Sequence, residues 1–294
     1  MDAPPPQPES DLLKAAFKDA LDRKGFGFQY AVSRRAHDLR IARKSVWVLE
    51  ACEFPVRCQS TATHIDLLLR HADHRIYLVA ECKRANPRFS DWCFVRAPYV
   101  TRDNSELGSV AEQIRCDNDP SIVRSHIVEL SRTADLYHVA LELKNRSTTG
   151  DNDGAATGQI NTAVTQVLRG MNGFIDWLAS NEDVMRNASR ASFFPVVFTT
   201  ARLWVSSADI GASDLATGEI QIADASFVQK QVVYFQYHQS PDIIHSLTSA
   251  SRPTEPSSAL FPKFVRTVAI VSSAGVDSFL EDSSLPNRLA IGLQ

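Results

Sequence analysis

The chain has 294 residues, 44% hydrophobic and 22% charged, with 12 Gly, 14 Pro and a formal net charge of −3. That is the composition of a globular protein able to bury a core without disulfide or metal staples, and it excludes collagen-like, low-complexity and wholly disordered chains. No apolar run reaches the roughly 20 residues that span a bilayer, and MDAPPPQPES has no basic or apolar signal region, so a soluble, cytosolic protein without a membrane partner is expected.

Charge is spread unevenly. Residues 1–150 carry 22 Lys and Arg against 20 Asp and Glu, and residues 151–294 carry 9 against 14, so +2 and −5 sum to −3. The basic clusters Arg23 to Lys44 and Lys83 to Arg102 suit either a solvated face or a phosphate-backbone groove. Cys52, Cys58, Cys82, Cys93 and Cys116 are irregularly spaced with no CxxC pair, which favours reduced thiols over a disulfide framework or a zinc site.

In chain order, the proline-rich residues 1–9 read as a disordered segment. Ser10 opens a helix to about Lys24 with Leu13, Phe17, Ala20 and Leu21 on one face, and Gly25-Phe26-Gly27 ends it. Residues 46–58, 63–70 and 75–83 then read as strands rich in Val, Leu and Ile. Residues 84–135 are less regular, with a short helix expected over 106–116 that brings Leu107, Val110 and Ile114 into register. Residues 136–144 read as one strand and 147–158 as a loop.

The clearest helix covers residues 159–179, where Ile160, Ala163, Val164, Val167, Leu168, Met171, Phe174, Ile175 and Leu178 form one apolar stripe. Strands over 193–205, 228–237 and 266–271 follow, with a Ser/Pro-rich connection over 246–262 and a closing helix near 276–281. This order predicts an α/β fold, with a mixed central sheet flanked by helices and extra C-terminal strands. A single elaborated domain over 10–294 is expected, with a core of about 10–206, an insertion at 84–157 and an extension at 207–294.

Two strands carry the candidate chemistry. THIDLLLR holds Asp66 inside an apolar run, and RIYLVAECKR ends in Glu81 and Lys83, two apart and so on one face. A tight hairpin at Asp73-His74 pairs positions whose numbers sum to 147, which sets Asp66 opposite Glu81. Opposed carboxylates repel unless one is protonated or a cation lies between them. Mg²⁺ or Mn²⁺ fits oxygen ligands from Asp66, Glu81 and the Cys82 carbonyl. Lys83 beside such an ion is placed to orient a water or stabilise charge during phosphodiester hydrolysis. Against this stands the plainer reading of a wet Glu–Lys pair with Asp66 capping a turn.

IDLLL with Asp66 and VAECK with Glu81 and Lys83 resemble the PD-(D/E)xK, or restriction-endonuclease-like, nuclease superfamily, in a helix–three strands–helix–strand context. The resemblance implies a layered α/β core and Mg²⁺-dependent cleavage of nucleic acid, DNA before RNA, in roles such as restriction, defence or repair. It also implies a glutamine on the helix after ExK. Gln159 and Gln166 are the candidates, and Gln166 is preferred as a catalytic residue. An acid from the first helix, Glu9 or Asp19, is a further option, and Glu53 could line the site or pair with Arg57.

No proline precedes Asp66, and a second ExK, Glu142-Leu143-Lys144, offers a rival site with Asp135 or Glu129. Arg84, Arg88 and Arg96, interleaved with Trp92, Phe94 and Tyr99, fit nucleic-acid binding or simple packing. No specificity module is evident, which leaves room for a partner protein that targets or activates the enzyme. The alternatives are a catalytically silent module of the same fold that binds nucleic acid or protein, and a hydrolase of smaller phosphates. The latter finds no phosphate-cradling Gly-rich loop in the chain.

Overall fold

The computed structural model describes residues 9–97, 108–116, 123–131, 135–144, 158–181, 190–220, 222–245, 247 and 264–291. Helix α1 (Glu9–Lys24) is followed by α2 (Phe26–Ile41) and by strands β1 (Trp47–Cys58), β2 (Thr61–His71) and β3 (Ile76–Lys83). Next come β4 (Asp91–Val95), β5 (Ser109–Cys116), β6 (Val123–Ser131), β7 (Leu136–Tyr137) and β8 (Val139–Leu143). Helix α3 (Gln159–Ser180) precedes β9 (Arg190–Thr199), β10 (Arg202–Ser206), β11 (Phe227–Lys230), β12 (Val232–His238) and β13 (Val265–Ser272). Helices α4 (Val276–Glu281) and α5 (Ser284–Ile291) close the described chain.

The fold is mixed α/β, with a large mixed sheet flanked by helices. Among the described residues that sheet has nine strands, running β1-β2-β3-β9-β13-β12-β7 with β5 and β6 attached at β9. β1, β2 and β3 are antiparallel neighbours, and β3 lies parallel to β9. A smaller sheet of four strands runs β11-β10-β4-β8.

Alternation along the strands explains the two core layers. Tyr77, Val79, Phe193 and Val197 bury against α3, while Leu78, Ala80, Phe194, Val196 and Phe198 bury against the layer of α2, α4 and α5. The predicted stripe of α3 is buried in full, from Ile160 to Leu178. Each Val, Leu, Ile, Met or Phe side chain in it contributes about 1.5–3 kcal/mol on leaving water. Helix α3 lies close to the sheet because Gly173 allows it. A Cβ there would meet Val56 Cγ2 at 3.0 Å and the Arg57 carbonyl oxygen at 3.1 Å.

Several sequence expectations change. Residues 109–116 are strand β5, not a helix, paired on both sides with β6 and β9. Both faces of this strand are covered, so the helical spacing of Val110 and Ile114 was coincidental. Glu112 within it is wholly buried, yet its carboxyl is held down at about 2: burial opposes this, but Arg266, His245 and Ser125 outweigh it. The runs read as single strands over 136–144, 193–205 and 228–237 each split in two, one part in each sheet.

At one split, Thr200 N donates to the Lys83 carbonyl at 3.3 Å and Thr200 Oγ1 accepts from Ala85 N at 3.0 Å. Helix α1 forms as expected, but Leu13 and Phe17 stay exposed. Helix α2 was not expected from the sequence. The proline-rich start and nearly all of the 147–158 and 246–262 connections lie outside the described residues.

Candidate active site

The β2–β3 ladder pairs Leu67 with Ala80, Leu68 with Val79, Leu69 with Leu78 and Arg70 with Tyr77, so every pair sums to 147 as the hairpin reading requires. The ladder ends one step short of Asp66 and Glu81. There the Asp66 side chain takes over the pairing, its Oδ2 accepting a hydrogen bond from Cys82 N at 2.7 Å. That bond ties the middle of β2 to the main chain between Glu81 and Lys83.

The opposite side of Asp66 is irregular too. Across the β1–β2 pair, Cys52 faces Leu67 and Phe54 faces Ile65, which leaves Glu53 opposite Asp66. Glu53 has φ 52°, in the left-handed region that costs a residue with a Cβ about 1 kcal/mol or more. The kink switches the faces: Cys52 and Leu67 pack with the α2 layer, whereas Phe54 and Ile65 pack with the α3 layer. In an unbroken strand, residues two apart would share a face.

Gln29 of α2 spans this kink. Its Nε2 donates to Glu53 Oε1 and, at 3.2 Å, to the Asp66 carbonyl. It is buried, 4% exposed, so these bonds answer the cost of taking an amide from water. Three adjacent strands therefore each carry an acid level with the C-terminal end of β3: Glu53, Asp66 and Glu81.

The electrostatics follow. Burial lifts the Asp66 carboxyl above its usual range; the Cys82 N–H and Lys83 pull it down, and Glu53 pushes it up. Burial lifts Glu81 further, and Asp66 and Glu53 add repulsion that Lys83 only partly offsets. Without added positive charge, Glu81 keeps its proton near neutrality.

Lys83 is half-buried and donates from Nζ to Gln166 Oε1 at 3.2 Å. The structure thus brings the preferred glutamine to the ExK lysine, two turns into α3. Gln159 does something else: its Oε1 accepts from Asn86 N at 2.9 Å, pinning the start of α3 to the chain leaving β3.

The second ExK has a structural task. Glu142 Oε1 accepts from Ile160 N at 3.0 Å, in a helix whose N-cap is Gly158 with no capping side chain. Its carboxylate caps α3 from another sheet. Glu129 lies exposed on β6 and Asp135 pairs with Arg96, so neither proposed partner acid joins Glu142.

Arg84 and Arg88 are exposed beside the site strand, while Arg96, besides pairing Asp135, sits 5.8 Å over the Tyr137 ring. Trp92 and Phe94 are buried, which puts those two aromatics in the core rather than on a binding face. Tyr99 and Arg102 lie outside the described residues, as does the side chain of Glu9. Asp19 is exposed on α1, and Glu53 meets Gln29, not Arg57. Gln29 was not read from the sequence: a glutamine in a basic helix carries no signal until the helix is seen to cross the kink.

Among the described residues, no group of three or more His, Cys, Asp and Glu side chains is arranged to enclose a metal ion. The oxygen donors offered here are the Asp66 and Glu81 carboxylates and a third acid, Glu53, held by the Gln29 amide. Hard donors with a surplus of buried negative charge fit a divalent cation better than a soft one. Comparison with protein-family models, with curated proteins and with solved structures yielded no match.

Proposed function

We propose that the protein is a metal-dependent nuclease of the PD-(D/E)xK type, with a restriction-endonuclease-like core formed by α2, β1–β3, α3 and β9. One observation carries the reading: Asp66 on β2, Glu81 and Lys83 on β3 and Gln166 on α3 gather near the C-terminal end of β3, linked by the Asp66–Cys82 and Lys83–Gln166 hydrogen bonds. DNA is the expected substrate ahead of RNA, by the resemblance alone.

Asp66 and Glu81, with the Cys82 carbonyl, would hold Mg²⁺ or Mn²⁺, which when bound lowers the pKa of a water and neutralises phosphate charge. The chain's own groups do the rest. Lys83 presents an ammonium to the attacking water or to the developing charge on phosphate. Gln166 accepts from that ammonium and fixes its direction. Gln29 keeps Glu53 and the Asp66 main chain from drifting.

The test is cleavage of linear, circular and single-stranded DNA and of RNA with Mg²⁺, Mn²⁺ or EDTA. Glu81→Ala and Lys83→Ala are expected to lose at least a hundredfold in rate, in line with the ~10²–10³ typical for one transition-state contact. Glu142→Ala is expected to keep its activity. Full activity in the first two variants sinks the assignment, and loss confined to Glu142→Ala moves the site to the second ExK. A wild type that binds nucleic acid with no cleavage in any metal would instead make this a binding module.

A further inference from the structure

A second feature lies at the other end of α2. A cleft of about 590 Å³ opens where α2 turns into β1, lined by Arg40, Arg43, Lys44 and Ser45 on one side and by Glu281 and Ser283 on the other. Gln29 and Arg40 are eleven residues apart on one helix, so the cleft sits roughly 16 Å along α2 from the acids. It is separate from the candidate active site.

The turn that builds this cleft runs against local preference. Helix α2 ends with Arg43 N donating to the Arg40 carbonyl at 3.0 Å and Lys44 N to the Leu39 carbonyl at 2.9 Å. This double bond pattern places the residue after the C-cap in the left-handed region, where glycine is favoured. Here that residue is Arg43, with φ 57°. An arginine held where glycine folds more easily points to a use for its side chain, and Arg43 is among the residues that line the cleft.

The surrounding charges favour an anion. The same bonds satisfy carbonyls at the helix end and so blunt the negative pole that would repel one. Asp38 and Asp277 are engaged by Arg34 and Arg35, and Glu281 stands 4.0 Å from Lys44. Among the described residues no carboxylate pairs with Arg40 or Arg43. Ser45 Oγ donates to the Leu280 carbonyl at 2.8 Å and fastens the two walls together.

We propose that this cleft binds a phosphate-bearing anion through Arg40, Arg43 and Lys44. The guanidinium fork and the ammonium match phosphate oxygens, and the cleft has room for a group the size of a nucleotide. The phosphate can belong to a free small molecule or to a nucleic-acid backbone passing over this end of the protein.

The experiment is titration calorimetry of the full chain with pyrophosphate in EDTA, on wild type, Arg43→Gly and Glu81→Ala, with a fluorescent single-stranded oligonucleotide in parallel. Saturable pyrophosphate binding is expected, weakened at least tenfold in Arg43→Gly, retained in Glu81→Ala, and falling as salt rises. Arg43→Gly is also expected to melt at the same or a higher temperature, so weaker binding there cannot be blamed on misfolding. If Arg43→Gly weakens oligonucleotide binding as well, and pyrophosphate displaces the oligonucleotide, the phosphate is that of a backbone. If the oligonucleotide is indifferent to Arg43→Gly, the ligand is a free anion. No pyrophosphate binding in wild type, or equal binding in Arg43→Gly, overturns the proposal. The Glu81→Ala arm keeps the result independent of whether the acid cluster cleaves anything.

Discussion

Glu81 shows how one buried acid can cost stability. Its carboxyl is lifted by burial and then by Asp66 and Glu53, so the folded protein keeps a proton that the unfolded chain releases. Between the ordinary carboxylate range and the raised value, the native state binds more protons, and stability falls as pH rises through that window. Glu81→Gln removes the group from this balance. Urea denaturation in EDTA at pH 5 and pH 8 is expected to show wild type losing on the order of 1–3 kcal/mol over the interval, with a flatter profile for Glu81→Gln. Parallel profiles would mean that Glu81 is not desolvated as the structure has it. This pair of acids was legible in the sequence because a carboxylate inside an apolar strand is rare and hairpin register is simple arithmetic. Glu53 was only half legible: its acid in an apolar setting was visible, but its left-handed backbone was not.

At the scale of elements, α3 was the easiest to read and α2 the hardest, for the same physical reason. Helix α3 buries nine apolar stripe residues, so its period stands out. Helix α2 buries Gln29, Val32, Ser33, Ala36 and Leu39, a face with two polar members and one large aliphatic at its end. Gln29 and Ser33 are tolerated there because they meet Glu53 and Cys52, partners that exist only once β1 is in place. The second ExK stood as a rival for a related reason, since a glutamate near the end of a strand reads alike whether it meets a metal or a distant helix. Its task as a cap is measurable. Glu142→Ala removes the acceptor for Ile160 N and is expected to lower unfolding free energy by ~0.5–2 kcal/mol, the range for lost caps. A change below ~0.3 kcal/mol would mean that water satisfies this helix end as well as Glu142 does.

Across the whole molecule, the chain passes repeatedly between the large and small sheets: β3 leads to β4, β7 to β8, β9 to β10, and β11 returns to β12. The parallel neighbours β3 and β9 of one sheet continue as the parallel neighbours β4 and β10 of the other. Hydrophobic pattern alone does not disclose such a crossing in the 136–144 and 193–205 runs, because both halves of each are largely apolar and the break at 200 is marked by hydrogen bonds such as Thr200 N to the Lys83 carbonyl. The crossings matter to the site, since Lys83 sits where β3 leaves the large sheet. They also bear on cooperativity. Trp92, Phe94, Leu203 and Val205 of the small sheet share one buried cluster with the stripe of α3 and with Val79, Phe193 and Val197 of the large sheet. A cluster continuous across both sheets resists losing either alone, so the two are expected to unfold together. Native-state hydrogen exchange provides the measurement. Core amides of β4 and β10 should share the protection free energy of β3 and β9 within about 1 kcal/mol and respond to denaturant with the same slope. A small sheet that opens several kcal/mol below the large one would make it a separate unit. The chain around Lys83 would then be a hinge between two bodies, and the Lys83–Gln166 contact would depend on how that hinge is set.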